Sequence, residues 1–153
     1  MAKKIDPKTA PSRKGSLYPS PFDEPCRDRE RVRLGAAAGL KQFGVNRLRL
    51  APGTWSSQRH WHSHEDEFIL VLEGEVVLVT NDGEERLVAG DAAGFPAGVA
   101  DGHHLQNRST RDAIVLEVGT SNEGVDVTTY PDIDMLALPD GFVHRDRTPY
   151  PKR

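Results

Sequence analysis

The chain has a single cysteine, Cys26, so no internal disulfide can staple the fold. It has no apolar run approaching the roughly 20 residues that a membrane-spanning helix needs, and a membrane span is not expected. Charge of one sign is also missing. Lys and Arg number 20 against 23 Asp and Glu, a net charge of -3, which excludes a general attraction to nucleic acid or to an anionic membrane surface. No helix-turn-helix segment accompanies the rest, so direct DNA recognition is not expected. The first residues, MAKKIDPKTAPSRKG, are basic but lack the apolar core of a secretory signal. A reducing cytoplasm is the expected address. Long helical periodicity is absent too: the one stretch that reads as a helical turn, residues 31–41, holds Gly35 and Gly39 and is short.

What is present is β-structure. At 153 residues the chain fits one domain with a single core. Residues 1–31 form a proline-rich arm (Pro7, Pro11, Pro19, Pro21 and Pro25) in which Tyr18 and Phe22 can anchor against the body or a second subunit. Residues 32–130 read as a β-rich body, in which GVNRLRL, SSQRHWH, EFILVLE, EVVLVTN, EERLVAG and DAIVLEVG are short strands divided by turn residues. NDG at 81–83 signals a tight hairpin and EGE at 73–75 a second, less standard one. Residues 131–153 are an irregular tail with Pro131, Pro139 and Pro149, expected to pack on the body. The class is all-β, a sandwich or small barrel. FILVL and VVLV are apolar on both faces, whereas an antiparallel strand with one wet face should alternate. Either the arms or a second copy must cover the outer face, and a homodimer is expected, with Trp61 nearby.

The segment RHWHSHEDEF, residues 59–68, concentrates three histidines and three carboxylates. On a strand His60 and His62 point the same way, joined by Gln58, while Arg59 and Trp61 point oppositely. If SHED turns the chain and EFILVLE returns antiparallel, His62 and Glu67 oppose one another with Cβ atoms roughly 5 Å apart. Two imidazoles and a carboxylate then converge on one ion. His64, Glu65 and Asp66 fall in the turn and face solvent. A second cluster follows in GDAAGFPAGVADGHHLQN, residues 90–107. FPAG makes a turn and HHLQN opens a strand on which His103, Leu105 and Asn107 share one face. Since only one of two adjacent strand histidines points inward, His103 is the natural fourth ligand, and His104 is a surface or interface residue.

These two segments resemble the two sequence motifs of the cupin superfamily. The first motif is matched by Gly53, His60, His62, Glu67 and Gly74, with one extra residue between Gly53 and His60. The second is matched by Gly90, Pro96, Gly98, His103 and Asn107, with VADG lengthening a gap near the barrel mouth. The resemblance implies a double-stranded β-helix (a jelly-roll cupin barrel) with irregular N- and C-terminal arms, and a metal held inside by His60, His62, Glu67 and His103. Three imidazoles and a carboxylate suit divalent iron, manganese, nickel, copper or zinc.

Cupins host unrelated chemistries, so fold alone does not name the reaction. Three readings follow: an isomerase resembling the cupin-type sugar-phosphate isomerases, a dioxygenase, and a non-catalytic small-molecule sensor or storage module. The first, acting on a small oxygenated metabolite, is the leading expectation. It needs a titratable base besides the ligands, for which His64, His104, Asp101 and Tyr130 are candidates. Gln58 and Asn107 are further pocket candidates. Arg47 and Arg49, alternate residues of one strand, are placed either to receive a phosphate or on a solvated strand face. Trp55, Phe95 and Phe43 can line the pocket or belong to the core. Phe142, His144, Arg145 and Tyr150 can cap the mouth or form surface tail.

Overall fold

A computed structural model describes residues 2–152. In chain order the strands are β1 (Ser12–Lys14), β2 (Arg29–Arg33), β3 (Phe43–Leu50), β4 (Trp61–His62), β5 (Glu67–Glu73), β6 (Glu75–Thr80), β7 (Gly83–Val88), β8 (Ala92–Phe95), β9 (His104–Gln106), β10 (Ala113–Thr120), β11 (Thr128–Tyr130), β12 (Met135–Leu138) and β13 (Gly141–Val143). A single helical turn, α1 (Leu34–Ala37), falls inside the stretch expected for it. The strands form three antiparallel sheets. The largest has the order β1-β2-β3-β10-β5-β8, the second β13-β12-β11-β4 and the third β7-β6-β9. Among the described residues no helix is long and apolar enough to cross a membrane.

Alternation along the strands sets the core. Leu48 and Leu50 of β3, Ile69 and Val71 of β5, Val76 and Leu78 of β6, Leu87, Leu105, Ala113 and Val115 point inward and pack as one cluster. Truncating a buried leucine such as Leu48 to alanine costs about 2–5 kcal/mol in such a setting, from lost transfer and the cavity left behind.

The NDG hairpin is present: β6 pairs with β7, and Thr80 opposes Gly83 across Asn81 and Asp82. The EGE hairpin is not. β5 pairs with β10 and β8, whereas β6 pairs with β7 and β9. Gly74 therefore carries the chain from one sheet to another. It has φ +74°, and an added Cβ would lie 2.6 Å from the Asp112 carbonyl oxygen, so only glycine fits the crossing.

The arms are more regular than their prolines imply. β1 and β2 extend the large sheet beyond β3, so the boundary expected at residue 31 falls inside β2. Prolines stay out of these ladders; they occupy the segments between them. The tail likewise supplies β12 and β13. A second core cluster of Tyr18, Cys26, Tyr130 and Met135 ties arm to tail, with Phe22, Phe142 and Tyr150 packed on it. Neither arm covers the outer face of β5, where Phe68 and Leu72 remain 44% and 43% exposed.

Candidate metal centre

His60 and His103 are cross-strand partners in an isolated bridge, closed by His60 N to His103 O at 3.1 Å and His103 N to His60 O at 2.9 Å. This places the two rings side by side, centroids 4.8 Å apart. His62 lies on β4 and Glu67 opens β5. The expected hairpin between them does not form, because β4 pairs with β11 and not with β5. Short β4 belongs to a different sheet, and His62 and Glu67 meet across the barrel interior instead. Residues 56–59 are bends, so the SSQRHWH strand is reduced to its last two residues.

The three imidazoles converge on one atom. Glu67 Oε1 lies 2.8 Å from His103 Nε2, 3.1 Å from His62 Nε2 and 3.2 Å from His60 Nε2. Each ring is oriented from behind through its other nitrogen. His60 Nδ1 donates to the Gln58 carbonyl at 2.8 Å, His62 Nδ1 to Asp126 Oδ2 at 2.7 Å and His103 Nδ1 to the Asp101 carbonyl at 3.0 Å. A ring that donates through Nδ1 offers its Nε2 lone pair to an ion once that nitrogen is deprotonated, so three lone pairs and a carboxylate can then be aimed at one point. That donor set, with its supporting acceptors, fits a divalent transition ion. Phe95 stacks on His103, with centroids 3.6 Å apart, and fixes its ring plane.

The charges respond to this crowding. Burial pushes Glu67 up, but the histidines around it, His60 first, outweigh burial and hold the carboxyl well below the usual range. Burial pushes His62 down, yet Glu67 and then Asp126 raise it to about 9. Glu65 and Asp126 form a further group with His62 but face its Nδ1, and so they back the ring.

The cluster lies in a cavity of about 310 Å³ that also exposes Arg13, Tyr18, Arg29, Arg31, Ile69, Phe95, His104, Leu105, Glu117, Tyr130 and Phe142. Several expected pocket residues are elsewhere. Arg47 and Arg49 alternate with the inward Leu48 and Leu50 and take the outer strand face, where Arg49 pairs with Glu30 at 2.5 Å and Asp112 at 3.2 Å. Gln58 is buried under the arm and donates its amide to the Phe22 carbonyl at 2.8 Å. Asn107, 1% exposed, donates to the carbonyls of Leu50 and Arg111 and clamps the loop before β10.

Of the candidate bases, His64 is exposed and hydrogen-bonded to Ser63, and Asp101 caps Asn81 N. His104 is not a surface residue: it is 4% exposed and lines the cavity. Its Nδ1 donates to the Ser57 carbonyl, the Gln106 amide meets its Nε2, and burial draws the imidazole down to about 4. With both nitrogens engaged it is a satisfied neutral wall. Tyr130 lies in the cavity, its ring 5.9 Å from His60, and burial together with Tyr18 holds its phenol well above its ordinary range. Trp55 packs edge-on against His104, and Phe43 is 42% exposed. Phe142 reaches the cavity, whereas His144 and Arg145 are bound to Asp134 and Tyr150 packs against Phe22.

Sequence reasoning missed Arg13, Arg29, Arg31, Glu117 and Asp126. The alternation in RERVR could have flagged Arg29 and Arg31 as sharing a face; nothing local marks Asp126, which reaches His62 from 64 residues away.

Residues 46–119 match the family model described as the cupin domain. The chain is similar to the crystal structure of a sugar phosphate isomerase from a cupin superfamily, from Silicibacter pomeroyi, at 42% identity over 97% of each chain, with a TM-score of 0.90. It is similar to a structure from Acidithiobacillus ferrooxidans, provisionally named a sugar phosphate isomerase, at 26% identity over 82% of each chain, with a TM-score of 0.72. A polyketide cyclase from Streptomyces resistomycificus shares the fold at 21% identity over 80% of this chain and 81% of that one, with a TM-score of 0.63. No curated protein sequence matches.

Proposed function

This chain belongs to the cupin superfamily, and from that premise we propose that it is a metal-dependent isomerase of a small oxygenated metabolite, of the sugar-phosphate-isomerase kind. The observation that carries the reading is the convergence of His60, His62 and His103 on Glu67 inside a cavity large enough for a small molecule. Similarity to the Silicibacter pomeroyi protein over 97% of both chains favours isomerisation over the oxygenase and sensor readings.

His60, His62, Glu67 and His103 would hold a divalent ion (iron, manganese, nickel, copper or zinc), which supplies Lewis acidity towards a carbonyl or hydroxyl oxygen. The rest falls to the chain itself. Ile69, Phe95 and Leu105 wall the cavity and exclude water from the reacting carbons. Tyr130, kept protonated by burial and by its hydrogen bond with Tyr18, lines the cavity as a neutral hydroxyl beside the substrate. Glu117 lines the same cavity and is the carboxylate outside the metal set that can move a proton between adjacent carbons, once released from Arg31. We further propose that the protein is a cytoplasmic homodimer, with copies joined through the apolar outer face of β5 and β10.

The test is to load the full chain with each candidate ion and follow aldose and ketose phosphates by proton NMR in deuterated water. Interconversion with deuterium entering at the carbon that loses its proton is expected, stopping on chelation. A metal-loaded protein that exchanges no substrate proton contradicts the reading.

A further inference from the structure

Three arginines that are not metal ligands face the cavity. Arg29 and Arg31 are alternate residues of β2 and so share a face, and Arg13 of β1 is the direct cross-strand partner of Arg31. Like charges placed opposite one another in a ladder repel, and here three guanidinium groups are gathered on one surface. Arg31 is answered by Glu117, whose carboxylate also accepts from Asn46 at 3.2 Å. Arg29 is not answered. It is 6% exposed, and its guanidinium donates to two main-chain carbonyls, Gly15 at 3.1 Å and Ser56. Among the described residues no carboxylate forms an ion pair with it. Burial and then neighbouring Arg31 draw it below its ordinary value, against the smaller opposing effects of Tyr18, Cys26 and Glu117. A buried charge left uncompensated is costly, and an anion arriving in the cavity would relieve that cost.

We propose that Arg13, Arg29 and Arg31 form an anion subsite that takes the phosphate of a phosphate monoester, whose carbon chain reaches towards Glu67 and the three histidines. Guanidinium forks match phosphate oxygens and can bind them in pairs, and several cations around one anion favour a dianion over a carboxylate. The subsite sits on β1 and β2, at the arm, so the arm is part of the binding site. The assignment rests on the isomerase reading only in naming the carbon chain; the phosphate contact stands on the arginines alone.

The test uses metal-free full-length protein, so that no ion can bind the probe. Calorimetric titration at constant ionic strength compares inorganic phosphate with acetate for the wild type and for Arg13→Gln and Arg29→Gln. Phosphate should bind about tenfold more tightly than acetate. Arg29→Gln should weaken phosphate about tenfold and exposed Arg13→Gln about threefold, with acetate little changed. Should Arg29→Gln not fold, as judged by circular dichroism, Arg13→Gln and Arg31→Gln carry the test. Equal affinities for phosphate and acetate, or phosphate binding unaltered in the folded variants, overturn the proposal. Phosphate binding without isomerisation in the loaded enzyme would keep the subsite and reject the function; isomerisation with unaltered phosphate binding would do the reverse.

Discussion

Asp126 accepts a 2.7 Å hydrogen bond from His62 Nδ1, joining residues 64 positions apart in the chain. Asp126 also accepts the backbone amide of His64, so one buried carboxylate fixes both the ring and the turn that follows it. Outer partners of this kind hold a ligand's tautomer and raise its basicity. Asp126→Asn should therefore weaken metal binding about 10- to 100-fold while leaving circular dichroism unchanged. Competition against a chromophoric chelator measures it. An unaltered affinity would mean that the ring is oriented by its packing alone.

Metal uptake should release protons. His62 is held at about 9, above its ordinary 6.5, chiefly by Glu67 against the opposing effect of burial. An imidazole must be neutral to ligate. Apparent metal affinity should thus rise with pH up to about 9. The sign for the ion-free fold is opposite: the raised value stabilises fully below pH 6.5, and this contribution is lost as pH rises through about 9. Calorimetry at neutral pH in buffers of different ionisation enthalpy should show about one proton released per ion. No buffer dependence would show that His62 is already neutral.

The outer face of the large sheet should join two copies. Ile69 and Val71 point inward, which leaves Phe68, Leu70 and Leu72 on the other side, with Val118 opposite Phe68 and Leu116 opposite Leu70. A specific interface buries roughly 1,600 Å² in total, and half-exposed Phe68 and Leu72 would be central to it. Light scattering at micromolar concentration should report twice the chain mass. Phe68→Asp with Leu72→Asp should give a folded monomer. A wild-type monomer at every concentration would remove this face as an interface.

Much of the site was legible because its motifs are local. His60 and His62 are two apart, Glu67 is five further on, and strand periodicity alone brings the first two to one face. Glu67 reaches His62 across the barrel and not across the expected hairpin, since β4 and β5 lie in different sheets. The same limit produced the false hairpin at EGE, where a positive-φ glycine serves a crossing as well as a turn. Of the two places open to Arg47 and Arg49, the pocket and a solvated strand face, they take the second, because the parity of β3 depends on Leu48 and Leu50 filling the core. Arg29 and Arg31 were obscured by the prolines around them; a proline-rich segment can still donate short strands to a sheet edge. Asp126 acts through contacts remote in sequence, which no local pattern reports.

The most direct measurement is metal stoichiometry after expression with iron, manganese, nickel, copper and zinc supplied, for the wild type and for His60→Ala and His103→Ala. About one divalent transition ion per chain is expected in the wild type, with a melting temperature that falls on chelation, because an ion bound only by the folded state at 100 times its dissociation constant adds about 2.7 kcal/mol. Both variants should lose the ion and the chelation effect while keeping the β-barrel signal. A wild-type protein that carries no ion, and whose His60→Ala and His103→Ala variants melt as it does, would contradict the account.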